Sequence, residues 1–404
     1  MTTILLSGGS LLDADGRRDG WVLLDGDRIA AVGTDAPPPA DTVLDFTGRT
    51  LTPGFIDLHA HGGGGAAFDN GADEIRAALN VHRQHGTTRS VVSLVANPVD
   101  TIVAGLQAVA ALAAADPTIV GSHLEGPFLA VARRGAHARE FLTQPTPELV
   151  ETLLAAANGT LVQITIAPEL PGALDAIERF VEAGVIVAVG HTEADEHVTR
   201  AAFDAGARLL THVFNAMPGI HHRDPGPIPS AFDDDRVTLE LVLDGVHVHP
   251  SVAQMVFRAA PGRVALVTDA MAAAGGADGF YRLGSLNVTV QNGIALLNGT
   301  STIAGSTLTQ DVALRTAVEV ADVDEVAAVR ALTATPARAL GRDNEWGMLA
   351  AGYAADVVVL GDGWQVERVW AAGVEVGPTA AIGSAADTDG DGERDEDRDR
   401  ERDA

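Results

Sequence analysis

"PGFIDLHAHGGGG", residues 53–65, is the stretch on which the reading of the fold turns. An apolar strand-like run ends in His59 and His61, one residue apart, and four glycines follow. In a strand, residues i and i+2 point to the same side, so both imidazoles aim one way at the strand's end. The glycines let the backbone turn away without crowding whatever the rings hold. A hairpin rim meeting water would account for two polar residues. A divalent metal would account for their spacing.

Outward from that strand, strand-like and helix-like segments alternate, the signature of parallel βα units. Seven further runs read as strands: "TRSVVSLVA", "TIVGSHLEG", "VQITIAPE", "GVIVAVGHT", "ARLLTHVFNA", "TLELVLDGVHV" and "RVALVTDAM". Ala-rich helical stretches such as "DEIRAALNVHRQHG" and "LDAIERFVEAG" separate many of them. Eight such units over residues 51–343 predict an α/β fold, a (β/α)8 TIM-like barrel. "YRLGSLNVTVQNGIALLNG" reads as a hairpin excursion, and two helices follow, around "TLTQDVALRTAVEV" and "DEVAAVRALTATPARALG". Short strands with turns over residues 1–50 and again over 344–380 predict a small β-sandwich domain built from both chain ends. Residues 381–404 are expected to be a disordered acidic tail, whose final stretch, "ADTDGDGERDEDRDRERDA", lacks apolar content. Its "DTDGDG" imitates the start of a calcium loop, but position twelve from Asp387 is Arg398, where a bidentate Glu is needed.

The composition narrows the chemistry. The 404 residues carry a net charge of −28, which argues against nucleic acid or an anionic membrane as partner. No apolar run reaches the roughly 20 residues of a membrane span. The start, "MTTILLSGGSLLDADG", has no basic segment, so no secretory leader is expected and the chain reads as cytoplasmic. Cys is absent, which excludes disulfides and thiolate ligands, and all 27 basic residues are Arg. An Asp-rich, Lys-free, Cys-free surface looks like that of salt-in halophiles; a GC-rich genome is the plainer account of the missing lysine.

His and acid residues recur at the carboxyl ends of the expected strands. Strand one ends in His59 and His61, strand three in Glu125, strand five in His191, strand six in His212 and strand eight in Asp269. One strand-end histidine is ordinary. Six such residues on five strands share the face where barrels assemble active sites. Imidazole and carboxylate donors without thiolate suit zinc, iron(II), manganese or cobalt.

The order HxH, Glu, His, His, Asp on a barrel, flanked by a two-piece sheet domain, resembles the amidohydrolase superfamily. "HLEGPF", "GHT", "THVFNAM", "DGVHV" and "TDAM", with the opening stretch, are similar to the N-acetylglucosamine-6-phosphate deacetylases, from about Leu5 to Val376. The resemblance implies hydrolysis of the acetamide of a phosphorylated N-acetyl amino sugar, with one or two divalent ions and a homodimer. It implies Glu125, His191 and His212 around a principal metal, and His59 and His61 around a second bridged by Glu125. Asp269 would be the general acid/base and His137 a lid histidine polarising the carbonyl. His247 would contact substrate, Asn215 and Ala216 would meet the phosphate, and Arg223 would bind it, in relatives across a subunit boundary. Without Lys, the carboxylated-lysine bridge of other two-metal relatives is impossible, so Glu125 bridges or the site holds one metal. The epimer, glucosamine or galactosamine, stays open, as do another N-acyl amino sugar or amide as substrate and an inactive metal-binding scaffold.

Other polar residues read as structural. His82, His85 and His197 fall on helical stretches and are expected at the surface. His221 and His222 belong to a loop beside Arg223, His249 precedes a helix start, and Asp57, Asp244 and Asp356 are expected to serve local hydrogen bonds.

Overall fold

The protein is described by a computed structural model covering residues 2–377. The expected acidic tail and its calcium-loop imitation lie outside the described residues.

Eight parallel strands pair in chain order: Phe55–Ala60, Thr87–Val95, Ile119–Glu125, Leu161–Ile166, Ile186–Val189, Leu209–Leu210, Thr238–Val242 and Val264–Val267. They are apolar almost throughout because helices cover one face and barrel packing the other; all nine residues of the second strand are buried. The first and last strands then meet. Asp269 N–H donates to the His59 carbonyl at 2.8 Å, His61 N–H donates to the Ala270 carbonyl at 2.7 Å, and Ala60 bridges Ala270 in parallel. The molecule is a (β/α)8 barrel with a separate sheet from the chain ends.

The helices pack by their apolar stripes. The helix Ala173–Glu182 buries Ala173, Ala176, Ile177 and Phe180, an i, i+3, i+4, i+7 face. Two expectations are corrected in detail. The sixth strand is two residues long, because His212 (φ 26°), Phe214 (φ 78°) and Ala216 (φ 52°) take left-handed backbone and pull "THVFNA" out of the sheet. "DEVAAVRALTATPARALG" forms two helices, Glu325–Leu332 and Ala334–Ala339, because Pro336 cannot donate to the Leu332 carbonyl and its ring would clash there. The excursion after the eighth strand is a three-stranded antiparallel sheet, Gly279–Leu283, Leu286–Gln291 and Ile294–Leu297.

Thr3–Asp13, Gly16–Asp25, Arg28–Gly33, Thr42–Asp45 and Thr50–Pro53 join the returning strands Val357–Leu360, Val366–Ala371 and Val374–Glu375 in one eight-stranded sheet. Arg28 at one edge bridges Ala354, just before the first returning strand, and the sheet has its own core. Trp370 fills that core, edge-on to Phe46 at 6.1 Å. Asp356 ties this domain to the barrel: it takes the Arg89 Nε–H at 2.7 Å and the Ala372 N–H at 2.6 Å. Its structural role is as the sequence suggests.

Candidate metal centre

The barrel's carboxyl-end face collects the histidines and acids that sequence order alone leaves far apart. Glu125 is the hub. Its Oε1 lies 3.0 Å from His191 Nε2, 3.1 Å from His212 Nε2 and 3.4 Å from His59 Nε2. Its Oε2 lies 3.1 Å from His61 Nε2 and 3.2 Å from His137 Nε2. Asp269 Oδ1 approaches His61 Nε2 at 3.3 Å and His59 Nε2 at 3.6 Å. All are buried. Two sets of ligand atoms result, each within 4.8 Å of one another: His59, His61, Glu125 and Asp269, and Glu125, His191 and His212.

The strand ends hold these side chains by unusual backbone. His191 (φ 48°), His212 and Asp269 (φ 47°) all occupy the left-handed region, which β-region residues enter only when their surroundings impose it. Two of the rings are also oriented from behind by hydrogen bonds. His191 Nδ1 faces the Arg133 carbonyl at 2.8 Å and His59 Nδ1 faces Glu240 Oε2 at 3.2 Å. Each contact requires a proton on Nδ1 and leaves Nε2 to the site.

Those Nε2 atoms face one another as well as the acids. His59 and His61 are 3.1 Å apart nitrogen to nitrogen, and His191 and His212 are 3.0 Å apart. Lone pairs so placed repel unless a proton or a cation lies between them. Burial pushes the His61 ring down, yet the hydrogen bonds it donates to Asp269 and Glu125 carry it up to about 9. Burial opposes ionisation of Asp269 too, but His61 and His59 hold it at about 2. Glu125 is likewise held well below the usual carboxylate range, its burial outweighed by His59, His137 and His191. Divalent ions displace protons from such rings. Hard carboxylate donors and imidazoles converging on two points, with no arginine paired to them among the described residues, fit a metal.

The residue pattern of the Amidohydrolase family matches residues 50–376. The chain belongs to the amidohydrolase family. It is 36% identical over 375 residues to the N-acetylgalactosamine-6-phosphate deacetylase of Escherichia coli O157:H7, covering 92% of this chain and 98% of that one. It is 33% identical to the human N-acetylglucosamine-6-phosphate deacetylase, covering 91% and 93%. Among solved structures, N-acetyl-D-glucosamine-6-phosphate deacetylase from Mycobacterium smegmatis, in complex with N-acetyl-D-glucosamine 6-phosphate, superposes with TM-score 0.89 at 43% identity. That match covers 93% of this chain and all of the other.

A cavity of about 430 Å³ opens over the acids and histidines. His137, Asn215, Ala216 and His247 line it, as do His61, Glu125, His191, His212 and Asp269. His247 is braced by Asp244 Oδ2 at 2.7 Å. Arg223 stands apart: it is exposed, does not line the cavity, and turns its guanidinium to His222 at 2.7 Å. Arg133 and Arg134 line the cavity instead, and the sequence reading passed over both. Asp57, which takes the Thr268 hydroxyl at 2.6 Å, and His249, whose Nδ1 caps the Ser251 N–H at 3.2 Å, are structural as expected.

His82 corrects an expectation. It is fully buried, not on the surface, and its Nε2 donates to the Gly62 carbonyl at 2.8 Å, in the glycine run after His61. Burial keeps the ring below its ordinary pKa and therefore neutral. The glycine run packs so tightly here that a Cβ on Gly63 would meet the ring at 3.0 Å. His82→Leu keeps most of the volume but leaves that carbonyl unpaired, and is expected to cost about 1–3 kcal/mol in urea unfolding. A loss under a few tenths would mean that the bond is dispensable. His85 is half-buried against Asp311 at 3.1 Å, and His197 is exposed.

Proposed function

We propose that this chain removes the acetyl group from a hexosamine 6-phosphate, converting N-acetylglucosamine 6-phosphate and water to glucosamine 6-phosphate and acetate. The observation that carries the reading is Asp269, buried beside His61 under a cavity lined by Asn215, Ala216 and two arginines. The names of the relatives point the same way. One of them acts on the galactosamine epimer, so N-acetylgalactosamine 6-phosphate is the second reading.

Glu125, His191 and His212 would hold the principal ion, with His59 and His61 holding a second bridged by Glu125. Zinc, iron(II), manganese and cobalt all suit these donors. When bound, such an ion supplies Lewis-acid polarisation and makes water nucleophilic at neutral pH. The chain's own residues do the rest. Asp269 Oδ1 accepts a proton from the water as the new C–O bond forms at the acetamide carbon. It returns that proton to the sugar nitrogen as the C–N bond breaks. His137 Nδ1 accepts the Ala96 N–H at 3.3 Å, so Nε2 carries the hydrogen and can donate to the developing oxyanion. His247 meets the sugar, and Asn215 and Ala216 the phosphate.

Arg223, outside its own cavity, fits a phosphate contact across a homodimer boundary. The reading also takes in a cytoplasmic location and an acidic surface suited to molar salt. Among the described residues no helix is long and apolar enough to cross a membrane.

The test is acetate release, in molar KCl with added divalent metal, from N-acetylglucosamine 6-phosphate, its galactosamine epimer and unphosphorylated N-acetylglucosamine. Turnover confined to the phosphorylated sugars is expected. Equal turnover of the unphosphorylated sugar would remove the phosphate from the assignment, and none on any of the three would remove the substrate class.

A further inference from the structure

Glu240 sits in the middle of the seventh barrel strand, with no exposed surface, where a leucine would pack at lower cost. Its two oxygens are both used. Gln163 Nε2 on the fourth strand donates to Oε1 at 2.7 Å, and Oε2 faces His59 Nδ1 at 3.2 Å. A carboxylate oxygen in that position accepts, so His59 must carry its hydrogen on Nδ1, and the Nε2 lone pair is presented to His61, Glu125 and Asp269. His123, buried between Ser93 Oγ and Thr165 Oγ1 at 2.9 Å each, packs edge-on against the His59 ring at 4.6 Å and fixes its plane. His59 is therefore held in tautomer by one neighbour and in orientation by another.

The four-residue set and the three-residue set differ in this support. In the second set His191 is oriented by a neutral backbone carbonyl, and in each set one ring, His61 or His212, has its Nδ1 buried without a hydrogen-bond partner among the described residues. Only the first set is backed by a third carboxylate. Glu125, Asp269 and Glu240 are three buried acids, and none of them pairs with an arginine among the described residues. One divalent ion would leave this group net negative; a second reverses that.

We propose that Glu240, oriented by Gln163, is a positioning residue that presents His59 to a second divalent ion and so sets that ion's affinity apart from the first. The inference rests on the two-ion reading above. Outer-layer partners of metal-binding histidines commonly govern affinity by about 10- to 100-fold, and that is the loss expected at the His59–His61 position in Glu240→Gln. The ion among Glu125, His191 and His212 should be unaffected.

The experiment counts zinc per chain by elemental analysis after dialysis against graded chelator, for the full chain and for Glu240→Gln and Gln163→Met. Imidazole ¹⁵N and Nδ1–H proton shifts of His59 in the zinc-loaded protein supply a readout independent of turnover. Two ions are expected in the unaltered protein, with the second released at lower chelator strength in both variants. A shift of the His59 Nδ1–H signal should accompany this, and the first ion should be held unchanged. Two ions held equally tightly in the unaltered protein and in both variants overturn the role of Glu240 alone. A single ion in the unaltered protein overturns the two-ion reading and this inference with it. If Glu240→Gln fails to fold, Gln163→Met decides, since it alters no charge and touches no ligand. A merely structural role would lower the melting temperature of the variants and leave the order of metal release as it was.

Discussion

Asp269→Asn is expected to lower kcat about a thousandfold while the protein stays folded and loaded, since a positioned acid/base contributes about 10²- to 10⁴-fold. The amide can still accept a hydrogen bond from His61 at the 3.3 Å position of Oδ1, so packing and the ring contacts survive. What disappears is the site for the proton between its removal from water and its delivery to the amine. The measurement is kcat on the phosphorylated sugar beside metal content on the same sample. A variant within tenfold of the unaltered enzyme would show that Asp269 does not carry the proton. Parallel loss of metal and turnover would instead make it a ligand, which its place beside His59 and His61 also permits.

Glu125→Gln should have the broader effect. Five imidazoles lean on this one carboxylate, all within 3.4 Å. Removing its charge takes the shared donor from both ligand sets, so neither ion should survive dialysis and turnover should fall below detection. The metal-stripped protein should suffer too: leaving buried, protonated rings without their counter-charge costs about 3–5 kcal/mol. Urea unfolding of metal-stripped protein, with and without the substitution, measures that cost directly. If one ion is retained at full occupancy, Glu125 does not join the two sets.

The barrel and its candidate ligand cluster were legible because each expected strand announces itself as an apolar run, and the polar residues at several strand ends fall on one face. His59 and His61 needed only the two-residue period of a strand. Residues inside the strands were harder. Glu240 in "TLELVL" and His123 in "GSHLEG" look like outward-facing positions of a half-exposed strand. A parallel barrel buries both faces, so alternation carries no signal there. His82 did have one: Ile75, Ala78, Leu79 and His82 form the buried i, i+3, i+4, i+7 face of their helix. A charge-capable side chain on that stripe belonged to the interior from the start. Arg223 shows the opposite limit: a motif names a residue type and position but not whether the side chain reaches the cavity, and here it does not line it.

The seam where the first and last strands meet has a consequence for how the molecule comes together. Thr268 donates to the His59 carbonyl across 209 residues of sequence, and the backbone bonds of Asp269 and His61 lie in the same seam. Closing so long a loop is entropically costly and comes late in assembly. His59 and Asp269 stand on its two sides. Capture of an ion between them would therefore be a clasp on the barrel's final closure: until the chain has completed its circuit, one half of the candidate binding set has nothing to meet.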